Sequence, residues 1–276
     1  MILRVILIMV ISLSGELGFA GDLQREANFN DEVVNTHPVG KVVWLDAEGK
    51  KFLGLYTEAE KNPEKGTVII LHDQGGYPDQ LQLIKSLRTF LPEHNWSTLS
   101  LQMPVREIGA TENDYYDLFP EAKARIEAGL KHLKGKNVET IILAGYGLGA
   151  LIAVYAQSEK TADIKAIVAI SLPVPETQNK SAQTLEFIKN IKQPLLDIYA
   201  ELDPSVVVGS ARDKRLAAKN NAYFRQDKIN DENHLYQHDE GLVVKRIYSW
   251  IEHIVAKSPN PEKNSAASES QPKPQK

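Results

Sequence analysis

Asn137-Val-Glu-Thr-Ile-Ile-Leu-Ala-Gly-Tyr-Gly-Leu-Gly-Ala-Leu-Ile-Ala153 decides how the rest of the chain is read. Thr140–Ala144 is a short, nearly unbroken apolar run, the pattern of a strand buried on both faces. Gly145, Gly147 and Gly149 follow at every second position, and Ala150 to Ala156 is a good helix-forming run. Strand, glycine turn and helix together aim backbone N–H groups at a ligand or at a developing negative charge.

Two motifs compete for the turn. Gly145-x-Gly147-x-x-Ala150 fits a dinucleotide fingerprint, which needs an acidic residue at the end of the next strand to hold the ribose. That strand, Ile164–Ile170, ends in Ser171-Leu172-Pro173 without a carboxylate, and the turn sits mid-chain after other βα units. The fingerprint is set aside, and no cofactor is expected. As Gly145-Tyr146-Gly147-Leu148-Gly149 the residues fit the nucleophile elbow G-x-S-x-G everywhere but at the centre, where Gly147 stands for Ser. Glycine takes the strained central conformation without steric cost, so the turn can survive while the hydroxyl is lost. A plain tight βα connection is the simpler alternative.

A chain of 276 residues suits one α/β domain with unstructured ends. Its hydrophobic fraction of 42% and charged fraction of 25% are those of a globular protein, and a net charge of −4 gives no footprint for nucleic acid. Met1-Ile2-Leu3-Arg4, the apolar Val5–Leu13 and the small-residue site Gly18-Phe19-Ala20 predict a secretory signal over 1–20, cleaved after Ala20. Glu16 interrupts the apolar run well short of the about 20 residues that stable membrane insertion requires. With no cysteine there is neither a disulfide framework nor a lipidated Cys, so a periplasmic or secreted bacterial protein is expected.

Along the chain, Asp22–Pro38 is polar and aperiodic, an irregular lead-in over 21–38. Val42–Leu45 and Lys51–Tyr56 flank Gly49 as a hairpin. Buried strands follow at Thr67–His72, Trp96–Leu101, Ile164–Ile170 and Pro194–Ala200, with a short one at Ala222–Phe224. Helices are expected from Leu81, over Tyr116–Leu133, Ala182–Ile191 and Val206–Ala218, and over Gly241–Lys257. Val105–Asp114 reads as loop, and Ser258–Lys276 as a disordered tail. The alternation implies a mostly parallel α/β sheet with helices on both faces, an antiparallel hairpin before it and a minimal cap, the domain spanning 39–257.

Ligands of such a sheet bind beyond the carboxyl ends of its strands. The residues placed there are His72-Asp73-Gln74-Gly75-Gly76, Met103-Pro104, Gly145–Gly149, Ser171, Glu201-Leu202-Asp203 and the loop carrying Asn233-His234. Elbow, then acid Asp203, then base His234 is the order nucleophile, acid, base, with Asp203 placed to hold the imidazole in one tautomer. His238 and Glu201 are the alternative base and acid, with a solvated turn residue the simpler reading of His238; Ser171 is the candidate for a displaced nucleophile, with a strand-terminating Ser before Leu172-Pro173 the simpler explanation. His37, His94, His132 and His253 read as structural, and no spacing resembles a zinc site, so no metal is expected.

Together these residues resemble the α/β-hydrolase superfamily across Lys41–Ala256. Leu71–Asp79 (LHDQGGYPD) and Trp96–Pro104 (WSTLSLQMP) resemble, more closely, an exported bacterial hydrolase-like family of unknown function. The resemblance implies that His72, Asp73, Gln74 and Gly75, with the Leu148 amide, form an oxyanion or ligand loop. Asp73 departs from the pattern, since a carboxylate there opposes an oxyanion unless it points away. Gly147 leaves the nucleophile position vacant, and glycine can form no acyl intermediate. The sequence therefore favours a non-catalytic protein that binds a small molecule or a protein partner in the old cleft. The alternative is an esterase-like hydrolase using Asp203 and His234 with water or with a displaced nucleophile. Nucleic acid and stable membrane insertion are not expected, and the sequence does not disclose oligomeric state.

Overall fold

The computed structural model describes residues 21–158 and 164–257. The expected signal over 1–20 and the expected tail over 258–276 lie outside the described residues. Helix α1 (Leu23–Asn35) precedes a hairpin of β1 (Lys41–Ala47) and β2 (Lys50–Thr57). Next come β3 (Gly66–Leu71), α2 (Leu83–Glu93), β4 (Trp96–Leu101), the single turn α3 (Glu112–Tyr115) and α4 (Phe119–Gly135). The central unit is β5 (Ile141–Tyr146) and α5 (Leu148–Ser158), followed by β6 (Ala166–Ile170) and α6 (Thr184–Asn190). The chain closes with β7 (Leu195–Leu202), α7 (Ser205–Val208), α8 (Ala211–Ala217), β8 (Phe224–Asn233) and α9 (Glu240–Lys257).

Among the described residues, eight strands form one sheet in the order β1-β2-β4-β3-β5-β6-β7-β8. The hairpin is antiparallel, β2 meets β4 antiparallel, and the six strands from β4 to β8 are parallel. The apolar runs of the sequence explain this arrangement, because the central strands bury both faces. Ile69, Leu71, Leu143 and Ile167 pack with residues of α4 and α5, while Val68, Ile70, Ile142 and Val168 pack with residues of α2 and α9. Each such side chain contributes about 1.5–3 kcal/mol by leaving water.

The sequence reading needs four corrections. The lead-in Asp22–Pro38 is not irregular: Leu23–Asn35 is helical, and the Asp22 side chain accepts from the Arg25 amide as its N-cap. Its anchors are few and partly polar, which hides the period. Val33 packs on Leu53 and Leu55, Phe29 stacks on Tyr77, and Glu26 is buried beside Arg125. Of the short strand expected at Ala222–Phe224 only Phe224 is in a strand: it opens β8, which runs on to Asn233. It is an edge strand, paired only with β7, and its charged sequence carries no alternation to read. The helix expected over Val206–Ala218 is split into α7 and α8 around Gly209. Within Val105–Asp114, Thr111 opens α3 through a capping box with Asp114.

Two features position the site. In the β3–β5 register Leu71 lies opposite Gly145, so two residues further on Asp73 comes level with Gly147. On the far side of β5, the buried Lys214 ammonium donates to Asp197 Oδ1 (2.9 Å) and to the carbonyl of Leu172 (3.1 Å), fixing the chain where β6 ends.

Candidate active site

At the turn between β5 and α5, Gly147 has φ +56°, a conformation that L side chains rarely adopt. Its N–H donates to the Ile170 carbonyl at 2.9 Å. A Cβ on Gly149 would run into the backbone oxygens of Leu71 and His72, so strand and helix approach as closely as an elbow requires. A Cβ on Gly147 would overlap the carboxylate of Asp73. The place of an elbow side chain is thus filled, from the neighbouring strand, by another residue's oxygen atoms.

That carboxylate is held on both sides. Asp73 Oδ1 accepts from the Leu148 N–H at 2.6 Å and from its neighbour Gln74's N–H at 2.7 Å. Both donors belong to residues, Gln74 and Leu148, of the expected oxyanion or ligand loop. Asp73 Oδ2 lies 2.9 Å from His234 Nε2. His234 Nδ1 lies 2.6 Å from Asp203 Oδ1, so Asp203, His234 and Asp73 form one continuous line.

Behind the line stands a fully buried support. Asp203 Oδ2 accepts from the Ala200 N–H and from the Ser171 hydroxyl, each at 2.7 Å. Ser171 Oγ has spent its proton on Asp203, so the Tyr236 hydroxyl, 2.9 Å away, is the donor in that pair. Tyr146 lies stacked against the imidazole, ring centroids 5.1 Å apart, and its hydroxyl donates to the His234 carbonyl at 2.6 Å. Asp203 and Ser171 are sealed from water, whereas the Asp73 and His234 side chains are 20% and 27% exposed. The line meets water at Asp73 and His234.

The electrostatics follow from this geometry. Burial pulls the His234 imidazole down, but hydrogen bonds to Asp203 and Asp73 and the charges of both outweigh it, and its pKa rises to about 10. At neutral pH both ring nitrogens carry protons, one donated to each carboxylate. His72 is the opposite case: complete burial lowers it to about 4, leaving it neutral. Its Nδ1–H donates to the Asp73 carbonyl at 2.8 Å, and its Nε2 accepts from the Met103 amide at 2.9 Å. Glu112, on α3, is raised by desolvation and then by the negative charge of Asp73.

Of the residues singled out from sequence, Gly147, Leu148, Asp73, Gln74, Asp203 and His234 come together. His72 does not face the opening; it staples the loop after β3 to the end of β4. The Gly75 carbonyl accepts from Arg25 of α1 (3.3 Å), whose guanidinium also donates to the Arg106 carbonyl (2.6 Å). Ser171 is no displaced nucleophile, because it is buried and gives its proton to Asp203. His238 lies on the surface, 3.6 Å from Glu232, and Glu201 pairs with Lys228 and the Asp231 amide. Sequence reasoning missed the supporting Tyr146 and Tyr236 and the nearby Glu112. The meeting of Asp73 with Gly147 depends on β3 lying beside β5, which neither segment shows by itself.

Two family models match the chain. Residues 24–115 match a family described as a protein of unknown function, DUF3530, and residues 110–241 match the dienelactone hydrolase family. No curated protein sequence matches. Among solved structures, Est1E from Butyrivibrio proteoclasticus is similar with a TM-score of 0.64 at 19% identity, covering 78% of this chain and 99% of its own. The Pyrococcus furiosus esterase Pf2001 is similar with a TM-score of 0.63 at 21% identity, covering 77% and 89%. TT1662 from Thermus thermophilus gives 0.64 at 15% identity, covering 79% and 99%. At these identities the likeness is one of fold.

Proposed function

We propose, for a chain that has the α/β-hydrolase fold and matches the dienelactone hydrolase family over residues 110–241, a hydrolase that works without serine. Gly147 stands in the nucleophile's position, and the Asp73 carboxylate is the attacking group. One observation carries this reading: Asp73 has one oxygen in the paired amides of Gln74 and Leu148 and the other on His234, which is itself held by Asp203. A buried acid, an imidazole with its orienting shell and a partly exposed nucleophile within hydrogen-bond reach are what covalent hydrolysis needs. Asp203 fixes the ring, His234 moves the proton, and the two amides receive negative charge.

The distances shift the balance set by the sequence, which favoured an inert binding cleft because the elbow serine was gone. The inert reading keeps one specific support, since an imidazolium clamped between two carboxylates is no base at rest. The two readings separate on a chemical test. The purified chain is incubated with a panel of alkyl and acyl electrophiles and quenched with hydroxylamine, which converts an ester or anhydride of Asp73 into a hydroxamate found by peptide mass mapping. Hydroxamate at Asp73 is the expected result, with turnover reduced at least about 10³-fold in Asp73→Asn. An unmodified Asp73 with every electrophile and no turnover would leave the binding protein. Labelling of a serine by a fluorophosphonate would overturn both. The expected export signal puts this activity outside the cytoplasm, and an exported chain beginning at Gly21 on N-terminal sequencing checks that placement.

A further inference from the structure

A buried carboxylate lies close to the site without belonging to its line. β8 pairs Ile229 with Ala200 and Asn233 with Leu202, so residues 230–232 bulge opposite Glu201. Asp231 takes φ +59° in this bulge, and its N–H donates to Glu201 Oε2 at 3.1 Å. Bulges re-aim the side chains they carry. Asn230 and Asp231 are exposed, whereas Glu232 turns inward and is 1% exposed. A glutamate is almost never buried to that degree unless it is paired.

The two oxygens of Glu232 reach opposite ends of the loop between β8 and α9. Oε2 accepts from the Asn233 N–H at 3.2 Å, with His238 Nδ1 3.6 Å off, and Oε1 accepts from the Asp239 N–H. Asn233 directly precedes the base. Its carbonyl accepts from the Tyr236 N–H at 3.0 Å and its Oδ1 from the Leu235 N–H at 2.9 Å, so it sets the turn that carries His234. Asp239 directly precedes α9. Its Oδ1 accepts from the Leu242 N–H at 2.8 Å, and Val243, Val244 and Ile247 anchor that helix in the core. Glu232 thereby closes the loop onto a rigid element. A reactive group on a loop is placed only as well as the shell behind it is fixed, and a misplacement of about 1 Å costs on the order of 10² in rate.

We infer that Glu232 is a positioning residue for the base: by drawing Asn233 and Asp239 together, it holds the His234 ring in line with Asp203 and Asp73. This hold on the ring is independent of which group attacks; only its cost to turnover rests on the reading of Asp73 as nucleophile. Tyr146, on the His234 carbonyl, and Tyr236, on Ser171, pin the middle of the loop, and Glu232 joins its ends. A carboxylate suits the task because it offers two acceptors and no donor. Glutamine fills the same space but turns an NH₂ toward one of the two N–H groups, so Glu232→Gln breaks one bond and keeps the packing.

The test observes the His234 ring itself, by ¹⁵N NMR of the full chain, with His234→Gln to assign the signals. In the wild type the ring titrates at about 10. In folded Glu232→Ala the titration is expected to fall by at least about one pH unit, and in Glu232→Gln by about half as much, because a ring that leaves either carboxylate loses what keeps it charged. Ile251→Val, a small cavity further along α9, is expected to lower the unfolding midpoint and leave the ring's titration where it is. A wild-type titration in Glu232→Ala would overturn the inference, as would one in Glu232→Gln should the alanine variant not fold. An equal shift in Ile251→Val would overturn it too, since any loosened helix would then have the same effect. Hydroxamate formation at Asp73 is expected to slow about 100-fold in Glu232→Ala. If the wild type forms none with any electrophile, the hydrolase reading falls, and the titration still decides for or against Glu232.

Discussion

The two carboxylates that flank His234 are the same chemical group in opposite circumstances. Asp203, at the end of β7, is sealed from water and hydrogen-bonded by Ala200, Ser171 and His234. Asp73, after β3, is partly open to solvent and is held by two backbone amides and the other ring nitrogen. A carboxylate sealed from water can orient and polarise but cannot reach a substrate. One that is partly open to solvent can, even with an oxygen on the imidazole. Under the proposed function the contrast makes Asp203 the holder and Asp73 the reactive group.

Exchanging each acid for its amide tests that contrast most severely. Asp73→Asn removes the attacking group and is expected to cost about 10⁵–10⁶ in turnover, while Asp203→Asn spoils the imidazole's orientation and costs about 10⁴. Stability should rank the other way. Asp203→Asn breaks a buried network and is expected to lose about 2–4 kcal/mol in denaturant unfolding, against about 1 kcal/mol for the more exposed Asp73→Asn. Equal losses of stability would erase the distinction between holder and nucleophile.

A second experiment trades the two occupants of one space. Gly147→Ser places a Cβ on the Asp73 carboxylate at a positive φ and is expected to cost about 2–4 kcal/mol, from overpacking and strain together. Asp73→Gly combined with Gly147→Ser should recover most of that loss and make the new serine reactive toward a fluorophosphonate. Additive effects in the double-mutant cycle would show that the two positions do not compete.

The pH dependence of stability sharpens the contrast further. The folded His234 pKa, about 10, lies above its unfolded value near 6.5. The stabilisation from charging His234 is thus fully present below about pH 6.5 and is lost as pH rises toward 10. The difference in unfolding free energy between wild type and His234→Gln should shrink over that window and level off above it. Asp73→Asn, which removes one of the two charges holding the proton, should narrow the window from its alkaline end. The smallest effects are reserved for the rejected candidates. His238→Ala and Glu201→Ala should leave turnover and the denaturant midpoint unchanged, since both groups are exposed.

What was legible in the sequence was local or ordered along the chain. The apolar runs of β3, β5, β6 and β7 announce buried strands, and the glycines at 145, 147 and 149 announce the tight turn. The succession of turn, Asp203 and His234 gave the order that the sheet then brings to one edge. The partnership of Asp73 with Gly147 was illegible because it depends on β3 lying beside β5 with Leu71 opposite Gly145. Strand adjacency of that kind leaves no mark within either segment, so Asp73 looked like an obstacle rather than a replacement. The role of Ser171 was illegible for a related reason: its hydroxyl turns inward to Asp203 because β6 and β7 are neighbours. Helix α1 was missed because its anchors are a salt bridge and single contacts, not an apolar stripe.

Those anchors make the first helix a structural member of the opening itself. Glu26 gives both carboxylate oxygens to Arg125, each at 2.9 Å, and Arg25 laces the loop after β3 to the loop after β4. A protein trimmed to start beyond Asn35 would take Glu26 from the Arg125 guanidinium and leave it with Glu121 and the Gln102 carbonyl. It would also untie the segment that carries Asp73. Recombinant work on the isolated sheet domain would then describe a slackened mouth, and an absence of turnover there would say nothing about the intact molecule.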